Sequence, residues 1–394
     1  MKPDCCGAQR PVLRHIDRRG ACAPISLWAA TLWAATLWAA VLLQWPATAS
    51  CAAAGKSAPT TASLPDTLPA RRLGAADLAV VVNLADPLSV AIGDYYIRLR
   101  VIPWTNVVRV RFDSQRDEIS PQEFEALRAA VELQLRPQVQ AYALTWARPY
   151  RVGCMSITSA FTFGPREAEY CRPGCRPTRP SPYFNTSIAR PYDKLGMRPA
   201  MSIAASDIAH AKELIDRGVR SDGLAPAGTA YLVVTADGLR NVREREYPLA
   251  FRVAQHEFNF RVVSGETPAD PTDVMFYFTG APRVAAISGG HFLPGAIADH
   301  LTSFGGMLTD SPQMSSLEWL EAGATGSYGT VVEPCNQLGK FPNVPVLLAH
   351  YLAGETLIEA YWKSVRMPGQ GLFIGEPLAA PFARPPSSTA LALP

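Results

Sequence analysis

The chain has 394 residues, 48% hydrophobic and 18% charged, which fits one large globular domain or two smaller ones and excludes a disordered or fibrous protein. A formal net charge of +3, part of it in the leader, is too small to call for a nucleic-acid partner or an anionic membrane surface.

Arg10, Arg14, Arg18 and Arg19 precede an apolar run from Ile25 to Trp45, and small residues (Ala47, Ala49, Ser50) follow. A basic region, an apolar core and a small-residue exit describe a secretory signal over residues 1–50. The run is also long enough to stay uncleaved as an N-terminal membrane anchor, the one membrane contact expected of this chain. Either outcome places the body in the periplasm or outside the cell. Residues 51–72 form an Ala-, Ser-, Thr- and Pro-rich linker without core-forming residues. Cys5, Cys6, Cys22 and Cys51 leave with the leader, and Cys154, Cys171, Cys175 and Cys335 remain in the body. In an oxidising compartment Cys171 and Cys175, close together in a Pro- and Arg-rich loop, are the natural disulfide pair.

Residues 73–382 read as a single α/β domain. LAVVVN ending at Asn83 is a buried strand, and DPLSVAIGDYYIRLR carries Val90, Ile92, Tyr95, Tyr96 and Leu99 at helical spacing. IPWTNVVRVRF is a strand. SPQEFEALRAAVELQL is a helix with Ser120 as N-cap and Glu123 completing a capping box, and AYALTWARPYRV is the next strand. Residues 165–199 are a Pro-, Arg- and Gly-rich insertion that either lines a cleft or covers the sheet edge. A helix opening at Asp207, the strand TAYLVVTADG, the polar helical stretch LRNVREREYPLAFRVAQH and the strands NFRVVSG and DVMFYFTG follow. LPGAIADHL reads as a helix, GSYGTVV as a strand, and AHYLAGETLIEAYW as a helix before the strand-like GLFIGEP; residues 383–394 are a disordered tail. Strand and helix alternating this often predict a three-layer α/β/α sandwich with a mostly parallel sheet. In such sheets chemistry sits beyond the carboxyl ends of the strands.

That rule points to the segment after LPGAIADHL. Ser303 is a candidate nucleophile if His300 or His291 lies within hydrogen-bond reach, with Asp299 or Asp310 orienting the imidazole and Gly305 and Gly306 offering backbone N–H groups to an oxyanion. The alternative is that Asp299, His300 and Ser303 cap the end of a helix and the glycines permit a tight turn. Glu333, at another strand end, is a candidate ligand contact or a turn cap, and Cys335 beside it is either a small buried residue or a nucleophile needing a cationic partner. Asp299 and His300 with Asp310, Glu333 or His350 match no short zinc motif, so no metal and no cofactor is expected.

Long phrases of the body, among them LAVVVNLADPLSVAIGDYYIRLRVIPWTNVVRVRF, RPAMSIAASDIAHAKELIDRGV and SLEWLEAGATGSYGTVVEPCN, resemble a bacterial family of unassigned activity whose genomes carry exosortase, the membrane transpeptidase of PEP-CTERM sorting. The opening strand and helix, LEAGATGSYGTVV and the phrase Gly375-Glu376-Pro377 also resemble gingipain-type cysteine peptidases, which implies a caspase-like fold. In that family a His stands in a Gly-His-Gly turn and a Cys in a Ser-Cys-x-x-Gly turn; here those turns fall at Gly280-Ala281-Pro282 and Thr302-Ser303-Phe304-Gly305-Gly306. Ala281 and Ser303 replace the Cys–His pair. The resemblance therefore implies an exported, peptidase-like protein that binds peptide or envelope proteins, with a hydrolase using Ser303 and a nearby His as the alternative.

Overall fold

The computed structural model describes residues 72–172, 175–265, 271–285, 287 and 291–384. The leader, nearly all of the 51–72 linker and the tail beyond Arg384 lie outside these residues. Among the described residues no helix is long and apolar enough to cross a membrane.

β1 (Leu78–Asn83) is apolar and wholly buried, and the Asp86 carboxylate starts α1 (Pro87–Leu99) by accepting the Leu88 N–H at 2.9 Å. β2 (Val107–Val110) and β3 (Glu118–Ile119) lead to α2 (Pro121–Glu132), where Ser120 and Glu123 close the expected capping box. The single strand expected over 141–152 is two, β4 (Ala141–Leu144) and β5 (Arg151–Val152), because Pro149 interrupts the run. β6 (Met155–Ser156), α3 (Ile157–Phe163), α4 (Glu167–Tyr170), α5 (Pro191–Leu195) and β7 (Ala200–Ser202) come next. Asp207 caps α6 (Ile208–Ser221), which precedes β8 (Thr229–Val234), α7 (Tyr247–Ala254), β9 (Asn259–Ser264) and β10 (Val274–Thr279).

LPGAIADHL is not a helix. It lies in β11 (Phe292–His300), which pairs parallel with β10 from Phe276↔Ile297 to Thr279↔His300. Its last six residues are buried, and a short apolar run buried on both faces carries no period that separates strand from helix. α8 (Leu317–Glu321), β12 (Gly326–Thr330), α9 (Val344–Leu352), α10 (Leu357–Ser364) and β13 (Gly371–Gly375) complete the domain.

Ten strands form one sheet in the order β2-β1-β4-β7-β13-β12-β11-β10-β8-β9, with β3, β5 and β6 in a small separate sheet. Every neighbouring pair in the large sheet is parallel except β12 and β13. The mostly parallel sheet is thus two parallel halves running in opposite directions, joined across one antiparallel pair. Ala79 shares a face with its partner Tyr142, which meets Phe161 of α3, whereas Val82, three residues on, faces Gly93 of α1. α1, α6 and α8 follow one another on one face. On the other, α2 meets α3 through Phe124 and Phe161, and α3 meets α10 through Phe163 and Trp362. The result is the expected three-layer sandwich.

The 165–199 insertion is packed against this scaffold. Ser181 and Asn185 donate backbone N–H groups to the Arg366 and Lys363 carbonyls (2.7 and 2.8 Å), Tyr183 is fully buried, and Tyr170 stacks on Phe163 at 4.2 Å. Its cysteines correct the sequence reading. Cys171 pairs with Cys154 (Cα–Cα 6.0 Å) and Cys175 with Cys335 (Cα–Cα 5.4 Å), not with each other. Cys171 ends α4 facing inward beside β5–β6, while Cys175 faces the segment after β12, so the two thiols point to different neighbours. These pairs are compatible with an exported protein. Peptide mapping of the unreduced protein by mass spectrometry is expected to return Cys154–Cys171 and Cys175–Cys335 and no Cys171–Cys175 fragment. The double variant C175S/C335S is expected to lose about 2–4 kcal/mol of stability to urea.

Candidate functional site

β10, β11 and β12 end side by side, and the segment after β11 folds over their carboxyl ends. Gln313 Oε1 accepts from Thr302 Oγ1 (2.8 Å) and from the Phe304 N–H (2.9 Å), which pins Leu301–Phe304 from below. Behind it, backbone meets backbone. A Cβ on Gly306 would stand 2.5 Å from the Gly329 carbonyl oxygen, and one on Gly329 would stand 2.3 Å from the Gly305 carbonyl carbon. Gly306 and Gly329 serve close backbone approach. The Gly306 N–H already donates to Thr330 O (2.9 Å), and Gly305 O accepts from both the N–H and the hydroxyl of Ser316, each at 2.7 Å.

Ser303 opens onto a recess of about 350 Å³ whose apolar lining includes Leu239, Leu301 and Phe341 and whose charged groups are Arg240 and Glu333. The Cys175–Cys335 disulfide lies along its rim. Arg240 is held by Asp237 (2.6 Å) and donates to Thr302 Oγ1 at 3.3 Å. Glu333 is exposed and accepts the Cys335 N–H at 2.6 Å, which is the turn-capping role. The Ser303 hydroxyl meets no hydrogen-bond partner among the described residues; its carbonyl accepts from Thr330 Oγ1 at 2.9 Å.

The candidate bases are elsewhere. His300 ends β11 with its ring 1% exposed. Trp319 Nε1–H donates to its Nδ1 at 2.9 Å, and its Nε2 lies 3.1 Å from Met314 O. An indole N–H can only donate and a carbonyl can only accept, so the ring is the neutral Nε2–H tautomer with both nitrogens engaged. Burial pushes its pKa down to about 4, with the Met314 hydrogen bond opposing and neighbouring arginines assisting. Asp299 does not orient this ring: it is fully buried and ion-paired with Arg243. Burial pushes the Asp299 carboxyl above its ordinary value, against the pull of the Arg243 charge. His291 precedes β11 at the end opposite Ser303, where its N–H donates to Pro271 O at 3.0 Å. Asp310 is exposed and accepts the Tyr150 hydroxyl. His300 and Asp299 are therefore taken up by the core, and the candidate Ser–His–acid chain is not brought together through them.

Ala281, at the position of the family's His turn, is buried. His350 is buried on α9 beside Glu355 (3.1 Å), which also holds Lys363 at 2.8 Å. Among the described residues no group of three or more His, Cys, Asp or Glu side chains is placed to hold a metal ion. Sequence reasoning missed Arg240, Arg243, Gln313 and Trp319. Arg243 stood in a charged run that reads as a solvated helix, yet it is 1% exposed.

The state of His300 has a measurable consequence. A histidine whose pKa is lowered by folding contributes stability that is whole above its ordinary pKa of about 6.5 and is lost as pH falls through about 4. At 1.36 kcal/mol per unit this is about 3 kcal/mol. His300→Gln keeps an acceptor for Trp319 and a donor for Met314 without titrating. Urea unfolding of H300Q between pH 6.5 and pH 4 is expected to lose about 3 kcal/mol less than wild type; parallel losses would mean that the ring is not held neutral.

No protein-family model matches the chain, and no curated protein matches it. Among solved structures the chain is similar to the complex of the pro- and mature domains of RgpB from Porphyromonas gingivalis. That likeness is 10% identical over 77% of this chain and 79% of that chain, with a TM-score of 0.46.

Proposed function

We propose that this chain is an exported protein on a peptidase-like α/β scaffold that has no activated nucleophile at Ser303 and uses the recess beside it to bind peptide or a partner protein. One observation carries the reading: both nitrogens of His300 are committed inside the core, so this imidazole is not free to take the serine proton. The recess itself supports binding. An apolar floor flanked by one guanidinium and one carboxylate suits an extended polypeptide, with side chains for the floor and polar backbone for the rim. The basic and apolar leader and the two disulfides support export. The resemblance to a family found beside exosortase supports a role in envelope sorting or extracellular matrix assembly.

A fluorophosphonate probe tests the chemistry. Intact-mass measurement after incubation is expected to show no adduct, because an unassisted serine is too weak a nucleophile to react. An adduct mapped to Ser303 would overturn the proposal and establish the alternative, a hydrolase using Ser303 with a histidine brought near it by motion. Binding is tested by peptide display on the immobilised protein. Peptides retained by wild type are expected to be lost with Ser303→Trp, which fills the recess, and retention by that variant would remove the recess from the function.

A further inference from the structure

β9 is the outermost strand of the large sheet and pairs only with β8. The Asn259 N–H donates to Gly228 O (3.3 Å) and the Gly265 N–H to Val234 O (3.0 Å). The two-residue period of a strand therefore turns the N–H and C=O of Phe260, Val262 and Ser264 away from β8. Among the described residues nothing bonds to that side. Exposed edges of this kind are normally covered, shortened or blunted with charge. This one is six residues long, and Val262 on it is 63% exposed.

The edge also has a shaped flank. A groove of about 860 Å³ runs between β9 and the segment around α7, lined by Val234, Val242, Tyr247, Pro248, Phe251 and Val262. Phe251 is 46% exposed there, edge-on to Phe260 at 5.4 Å. The other face of β9 carries Arg261, over the Tyr231 ring at 6.0 Å, with no carboxylate partner among the described residues. Glu244 and Arg245 line the groove as well: the Glu244 carboxylate accepts from Asn241 Nδ2 at 2.7 Å, and Arg245 has no carboxylate partner among the described residues.

From this edge we infer that β9 takes up an extended peptide as an eleventh strand, with apolar side chains alternating with acidic ones. An added strand would complete the backbone ladder at Phe260, Val262 and Ser264. Its residues on the Val262 face enter the apolar groove, and the intervening residues face Arg261, where a carboxylate forms a cross-strand pair. A second copy of this chain is the poorer occupant. Antiparallel pairing of two β9 edges sets two Arg261 side chains near each other on one face, a like-charge juxtaposition. This site is distinct from the Ser303 recess, and its test uses different residues.

The probe is a short fluorescein-labelled peptide alternating valine and glutamate, titrated against the full chain by fluorescence anisotropy, with the valine–lysine alternate as control. The glutamate peptide is expected to bind and the lysine peptide to bind about tenfold more weakly. Val262→Pro removes one outward N–H and no β8 hydrogen bond. It is expected to weaken binding about tenfold with an unchanged melting temperature. Arg261→Glu is expected to reverse the preference between the two peptides. Hydrogen exchange supplies a reading independent of either variant: the Val262 amide is expected to slow when the glutamate peptide is added. Absence of binding, equal affinity for the two peptides, or an unchanged Val262 exchange rate would overturn the inference. Loss of binding in Ser303→Trp with β9 variants unaffected would return the peptide to the recess.

Discussion

One five-residue antiparallel pairing, Gly326–Thr330 of β12 against Gly371–Gly375 of β13, sets the architecture of this protein. On one side β11, β10, β8 and β9 run with β12; on the other β7, β4, β1 and β2 run with β13. Reversing that one pair turns the rule that chemistry lies at the carboxyl ends of strands into two separate locations. The ends of β10, β11 and β12 lie beside the start of β13, and the insertion that precedes β7 is pinned there through Arg366 and Cys335. Gly329, one residue from the end of the pairing, leaves the space into which Gly305 and Gly306 fold. The segment that carries Ser303 lies this close to the sheet because β12 presents no side chain at that point.

The same place shows what a core does with groups that a catalytic site would need. Asp299 and His300 are the last two residues of a strand buried on both faces, and a buried polar group must find a partner or impose a desolvation penalty. Asp299 found Arg243; His300 found Trp319 and Met314. Each partnership stabilises the fold by removing freedom that catalysis requires. A general base needs a lone pair directed at the nucleophile, and the one on His300 Nδ1 already accepts a hydrogen bond from an indole. The sequence is rich in residues of the right type here, and their burial decides the role.

How much of this was legible follows from the range of each interaction. The strand at Leu78–Asn83, the helices capped by Asp86, Ser120 and Asp207, and the three-layer order all rest on local signals: an apolar run, a capping side chain, a change of period. LPGAIADHL carried no local period that separates strand from helix, and only pairing with β10 makes the segment a strand. The disulfides failed for a related reason. Proximity in sequence favoured Cys171 with Cys175, whereas the true partner of Cys175 is 160 residues away and reaches it only through the fold. The Arg243–Asp299 pair, 56 residues apart, left no trace in either local segment. Ser303 was singled out as the residue after LPGAIADHL, a segment read as a helix that the fold makes a strand; the partners of His300 and Asp299 depend on side-chain packing, which left no local signal.

The two surfaces meet at one element. The segment between β8 and α7 is the wall of both: Gly238, Asn241, Val242 and Arg245 line the groove beside β9, while Leu239 and Arg240 line the recess at Ser303. A shared wall transmits occupancy from one side to the other only if it has two arrangements to choose between. This one is fastened throughout. The Thr235 N–H donates to Asn241 Oδ1 (3.0 Å), Thr235 Oγ1 to Gly280 O (2.6 Å), and the Leu239 and Arg240 N–H groups to Asp237 Oδ1 (3.1 and 3.2 Å). Arg240 then reaches across to Thr302, and a Cβ on Gly280 would stand 2.0 Å from Arg240 O, so the wall is packed as well as hydrogen-bonded. Rearranging a partition held at so many points would cost several of these hydrogen bonds at once. The groove and the recess are therefore separate surfaces on a common, well-fastened wall, and a ligand long enough to use both would gain affinity from the tether between its two ends.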